Sequence, residues 1–205
     1  MEIRSAVLLF SAVGAAGVAL AWVAVRTKLA SVWGAMGLVL GLLGIVSLAS
    51  ERVHFVDELS PIASALTGLA AGILLYVATW AFFGVAGNWG PLARHTDELY
   101  EQRHGVTLAR ALAVAALIVV PGEEFFWRGF VQGFAAGQLG AIGGALVAWA
   151  VYVAANAASG SVPVIIGVAV GGAVWAGLAV WPGGVLAAVV SHMAWTGLMI
   201  LRRPG

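Results

Sequence analysis

In the stretch PGEEFFWRGF, residues 121–130, two adjacent glutamates and an arginine interrupt a run of aliphatic, aromatic and small side chains. A carboxylate in a polar cleft with a histidine nearby can deprotonate a water and stabilise the oxyanion that results, the two needs of peptide hydrolysis. Two later segments carry further polar pairs: Tyr152 with Asn156, and His192 with Thr196. Each pair is spaced i, i+4, so each puts two polar groups on one helical face.

Glu124 and Arg128 are also i, i+4, with the acid N-terminal, which predicts an ion pair. Glu123 is turned by about 100° from Glu124 on a helix and lies five residues from Arg128, so it has no partner on its own helix. Pro121 and Gly122 predict a fresh helical start at depth, because proline favours a first turn and the N–H groups there favour a carboxylate. Mutual neutralisation would account for Glu124 and Arg128 and leave Glu123 over. His192, Asn156 and Thr196 each have a plainer reading as hydrogen-bonding glue between helices. The candidate site is therefore Glu123, Glu124, Arg128, His192, Asn156 and Thr196.

The elements that must position these residues follow from composition. The chain has 205 residues, 62% hydrophobic and 9% charged, with a mean hydropathy of +1.02. A soluble domain carries roughly 25% charged residues, so this is a membrane protein. Its apolar runs suit helices of about 20 residues and lack the alternation of a barrel strand, which predicts an all-α, polytopic helical bundle. Charges and turn residues divide it into seven spans near 5–25, 29–49, 61–87, 108–136, 140–158, 162–180 and 183–201. An eighth span or a re-entrant segment in the uncharged last third would escape this division. The polar loops are too short for a second domain, so residues 1–205 read as one membrane domain. In the longest loop, Asp97, Glu98, Glu101 and Arg103 predict a solvated interfacial helix. The N-terminus looks like a signal peptide, but its apolar run of about 21 residues exceeds an h-region and reads as a retained span.

Arg26, Lys28, Arg94, Arg103, Arg110, Arg202 and Arg203 fall on one side of such a bundle, and Arg4 and Arg52 on the other. Seven against two predicts a cytoplasmic C-terminus. One lysine against nine arginines, with abundant Ala, Gly and Val, points to a bacterial inner membrane and a GC-rich genome. A net charge of +1 without a basic cluster argues against nucleic acid. The absence of cysteine excludes disulfides, thiolate zinc sites and a cysteine nucleophile. With no HExxH or histidine cluster either, no metal or other cofactor is expected. No aspartate lies in a span for an aspartyl dyad, and Ser159 and Ser161 lack a Gly-x-Ser-x-Gly setting.

The chain resembles the CPBP group of intramembrane proteases, the CAAX-protease and bacteriocin-processing family. Its first motif, Glu-Glu-x-x-x-Arg-Gly, stands here as Glu123-Glu124-Phe-Phe-Trp-Arg128-Gly129, preceded by the usual proline at Pro121. The layout around His192 matches the third motif, with Thr196 where Asn or Asp is expected. Tyr152-x-x-x-Asn156 has the place and aromatic of the second motif, with Asn156 where histidine is expected. The resemblance covers about residues 108–201, which it marks as a catalytic core. It implies a glutamic-type, metal-independent endopeptidase with Glu123 as base, Glu124 and Arg128 as a supporting pair and His192 as an oxyanion donor. The implied partners are the bilayer and a membrane-embedded or lipidated protein cut near its C-terminus. Myxosortase-like processing of C-terminal sorting tags is one form this could take. Two alternatives stay open: a catalytically silent relative acting as scaffold, chaperone or bacteriocin-immunity protein, and an ion-coupled carrier using Glu123. Intact Glu123 argues against the first, since Glu124 alone would neutralise Arg128.

Overall fold

A computed structural model describes residues 3–204, without the side chains of Ile3, Arg103 and His104. Among the described residues it is all helix and loop. The helices are α1 (Ile3–Arg26), α2 (Val32–Ala49), α3 (Pro61–Ala86) and α4 (Gly90–Glu101), then α5 (108–139), α6 (141–157), α7 (Val162–Leu178) and α8 (Leu186–Leu201). Five helical stretches are long and apolar enough to cross a membrane, with Leu108–Ala157 counted as one. Gly140, at φ 75° and ψ 165°, breaks that stretch into α5 and α6. With the shorter apolar α8, seven apolar helices stand where composition predicts seven spans.

Two ends of the bundle are defined by contacts. At one, Val162 N–H donates to His95 Nδ1 at 3.2 Å, the Tyr100 hydroxyl to Met199 O at 2.8 Å and Trp33 Nε1 to Gln102 O at 3.1 Å. Arg203 also pairs with Asp97 there. At the other end, the strap 52–58 closes over the break between α7 and α8. Val185 and Leu186 donate backbone N–H groups to His54 O and Phe55 O, and Glu58 N–H to Pro182 O. Helix α4 is amphipathic as expected, with Leu92 and Thr96 buried and Arg94, Asp97 and Glu98 exposed. Arg103, part of that expectation, has a side chain outside the described residues.

Small residues set the packing, because side-chain-free surfaces let membrane helices approach closely. Gly68 and Gly72 of α3 lie on the backbone of α8, where a Cβ would run into the carbonyls of Ala187 and Ser191. Gly44 of α2 meets Gly122 of α5 backbone to backbone, and a Cβ on Gly44 would sit 2.6 Å from Gly122 Cα.

Pro121 does not begin a new helix. Helix α5 runs through it, widening into π-helical turns at Ala115–Val119 and again at Phe125–Gln132. A proline ring clashes with the carbonyl four residues back and removes one hydrogen bond. The wider turn just before Pro121 accommodates both, so no free helix N-terminus stands beside Glu123. Such π-bulges are often found at functional positions.

Candidate active site

Glu123 and Glu124 lie midway along α5, both buried. Arg128 Nη1 donates to Glu124 Oε1 at 3.2 Å, the pair the spacing predicts. Its Nη2 donates to the carbonyl of Gly172 on α7 at 3.0 Å. Gly172 allows this approach: a Cβ there would stand 2.8 Å from the Tyr152 ring and 3.3 Å from Arg128 Nη2. The guanidinium also lies 4.5 Å from the centroid of the Tyr152 ring, within cation–π range. One turn on, Gln132 Nε2 donates to Ala176 O at 3.0 Å, so α5 and α7 are tied twice along their length.

His192, on α8, reaches both glutamates. Its Nδ1 lies 2.7 Å from Glu124 Oε1, and its Nε2 lies 3.8 Å from Glu123 Oε2. The same Glu124 oxygen accepts from the permanently charged Arg128, so it acts as a carboxylate acceptor and Nδ1 carries the proton. In the neutral ring, Nε2 would then present a lone pair toward Glu123. The 100° offset that separates the two glutamates on their helix is thus spanned by the two nitrogens of one ring. Trp175 stacks on that ring.

Asn156 is buried on α6. Its Oδ1 accepts from Trp22 Nε1 of α1 at 2.6 Å, and its Nδ2 donates to Tyr152 O at 2.9 Å. Thr196 lies one turn beyond His192 and is half-buried. Glu123, Tyr152, Asn156, His192 and Thr196 all line one cavity of about 520 Å3, whose other walls are chiefly apolar residues of α1, α2, α3, α4 and α7. Glu124 stands behind this wall. Arg128 borders a second, smaller cavity of about 360 Å3, with Arg52, His54 and Asp57 of the strap. Among the described residues, no group of three or more His, Cys, Asp or Glu is placed to hold a metal ion.

Of the six residues singled out in the sequence, Glu123, Glu124, Arg128 and His192 are therefore linked by contacts, and Asn156 and Thr196 share a cavity wall with Glu123. A family model, described as type II CAAX prenyl endopeptidase Rce1-like, matches residues 105–198. Over that stretch the chain is similar to the Rce1-like family. Its six candidate residues all fall within the Rce1-like segment, and the match is to a family of CAAX-type intramembrane proteases, which are hydrolases. No curated protein and no solved structure matches the chain.

Trp22, Trp175 and Gly172 are site neighbours that sequence reasoning passed over. Trp22 lies in α1, outside the Rce1-like segment, and nothing distinguishes it from the other eight tryptophans of the chain. Trp175 is four residues from Gly171 on a glycine-rich helix, a spacing that signals close packing before it signals a histidine platform.

Proposed function

We propose that the chain is an intramembrane endopeptidase in which Glu123 and His192 together hold and deprotonate the attacking water. The observation that carries this reading is the 3.8 Å gap between Glu123 Oε2 and His192 Nε2 on the wall of the cavity. It is too long for a direct hydrogen bond, and a water about 2.8 Å from each atom would close it. Both flanking atoms are acceptors, so such a water donates both protons inward and turns its lone pairs toward the cavity. Loss of one proton to Glu123 makes the hydroxide that adds to the scissile carbonyl carbon. When the C–N bond breaks, that proton passes to the departing amine, and water has been added across the peptide bond.

Glu124 and Arg128 act one layer back: Arg128 holds the Glu124 carboxylate, and Glu124 holds the His192 tautomer. The family resemblance makes His192 an oxyanion donor, whereas the present geometry favours water activation for it. Asn156 and Thr196 are then the hydrogen-bonding groups left to face a substrate carbonyl.

The apolar walls suit an apolar or lipid-bearing polypeptide, and the family's description as prenyl endopeptidase supports a membrane-associated or lipidated protein cut near its C-terminus. Leu92, Thr96 and Leu99 of α4 line the cavity, which supports a mouth toward the arginine-rich end of the bundle. By the charge rule that end is cytoplasmic. The reaction needs only the carboxylates and the imidazole, so chelators are expected to leave it intact.

A second reading is favoured by the tethers on Asn156 and by Glu124 Oε1, held by both Arg128 and His192: a silent relative whose polar groups only hold helices together. One experiment separates the two. Purified protein is given a lipidated or transmembrane peptide substrate, and cleavage is compared for wild type, Glu123→Gln and Glu124→Gln. Cleavage by wild type that is lost in Glu123→Gln supports the protease. Equal non-zero rates in the two overturn Glu123 as the base, and no cleavage by either across a substrate panel supports the silent relative.

A further inference from the structure

Asn156 stands where the family pattern has histidine, and two contacts determine what its amide can do. An indole N–H can only donate, so the atom facing Trp22 must be Oδ1. A main-chain carbonyl can only accept, so the atom facing Tyr152 O must be Nδ2. These independent constraints agree, which removes the usual ambiguity of an amide's orientation. With Oδ1 engaged and one N–H on Tyr152 O, the second N–H is the group Asn156 has left for the cavity it lines.

We propose that Trp22 of α1 is a positioning residue for this site: its indole N–H locks the Asn156 amide so that an N–H, and not a carbonyl oxygen, faces the substrate. The proposal rests on the protease reading above, in which a negative charge develops on the scissile carbonyl oxygen. A fixed N–H stabilises that charge and an amide oxygen would oppose it, so the direction of the amide matters. The terminal torsion of asparagine is broad and roughly two-fold, which means that one tether leaves it loose and two hold it. The 2.6 Å bond joins residues 134 positions apart, from a helix outside the Rce1-like segment to one inside it. Trp22 also lines the cavity, so the lock is part of the reaction chamber's own wall.

The test combines a double-mutant cycle with a spectroscopic readout. Asn156→Ala should lower kcat about a hundredfold, as loss of one oxyanion donor does. Trp22→Phe should lower kcat about tenfold with KM within about twofold, the signature of an interaction made in the transition state. The double variant should be no slower than Asn156→Ala alone, because the tryptophan acts only through the amide. Additive losses would overturn the proposal by making Trp22 a general packing residue.

Asn156 is one of only two asparagines, with Asn88, so selective labelling of asparagine side-chain nitrogen gives two amide pairs in an NMR spectrum. Trp22→Phe should shift the Asn156 pair and leave the Asn88 pair in place. An unmoved Asn156 pair, or a moved pair with unchanged kcat, would also overturn the proposal. Cleavage by Glu123→Gln at the wild-type rate would overturn the Glu123 mechanism on which the proposal rests, an outcome distinct from additivity in a series where Glu123→Gln is inactive.

Discussion

The imidazole of His192 lies flat on the indole of Trp175, with ring centroids 3.5 Å apart and planes within 14°. The stack fixes the one ring angle not set by the Glu124 hydrogen bond. Together the two contacts hold Nε2 toward Glu123.

Replacing Trp175 with leucine should therefore slow the reaction without abolishing it. An aromatic stack is worth about 0.5–1.5 kcal/mol, which corresponds to a two- to tenfold fall in kcat by the rule of about 1.4 kcal/mol per decade. Trp175→Phe should keep most of the rate. Steady-state kinetics on the peptide substrate checks both, and equal rates for Leu and Phe would show that the platform has no role.

Glu123 and Glu124 should separate when stability is measured beside activity. Glu124 neutralises Arg128 and accepts from His192, and breaking a buried pair costs about 3–5 kcal/mol. Glu124→Gln should thus unfold at markedly lower temperature in detergent as well as lose activity. Glu123 has neither an arginine partner nor a direct hydrogen bond to His192, so Glu123→Gln should lose cleavage with its unfolding temperature nearly unchanged. Equal destabilisation by the two would contradict this division.

Gly72 offers a test of how the site is placed. A side chain there would meet Ser191 O and the methyl of Ala194, pushing α8 away from α3 beside His192. A displacement on the order of 1 Å can cost a hundredfold in rate, so Gly72→Val should lower kcat by about that factor. Gly84 on the same helix has nothing within 4 Å of its would-be Cβ, and Gly84→Val should be silent.

Topology can be read without background labelling, because the chain has no cysteine. A cysteine introduced at Lys28 should react with a membrane-impermeant maleimide only from the cytoplasmic side, and one at Glu58 only from the opposite side. The reverse pattern would move the cavity mouth to the other face.

Much of this architecture is legible from residue types. The seven spans agree with the helices to within a few residues, since the signal is the density of apolar residues, which a bilayer imposes directly. The Glu124–Arg128 pair follows from helical spacing, a local property. What spacing could not supply were relations between helices: His192 reaching two carboxylates, Gly172 lending a carbonyl to Arg128, and Trp22 meeting Asn156. Pro121 misled because proline favours a first turn, and the cue does not say whether a wider turn before it will let the helix continue. His192 takes its oxyanion role in the resemblance from its place in a motif, and the water-activating role proposed for it rests on contacts with two carboxylates that a motif does not show.

The contact of Gly44 with Gly122 has a further consequence. Two backbones touching leave no clearance, so the glutamates cannot slide along α2 by even part of a turn without a collision. Helix α2 is in effect a fixed stop against which the reactive pair is seated. Residues 105–198 transplanted onto unrelated spans would carry every motif and still lack that stop, unless the host offered a bare backbone at the facing position.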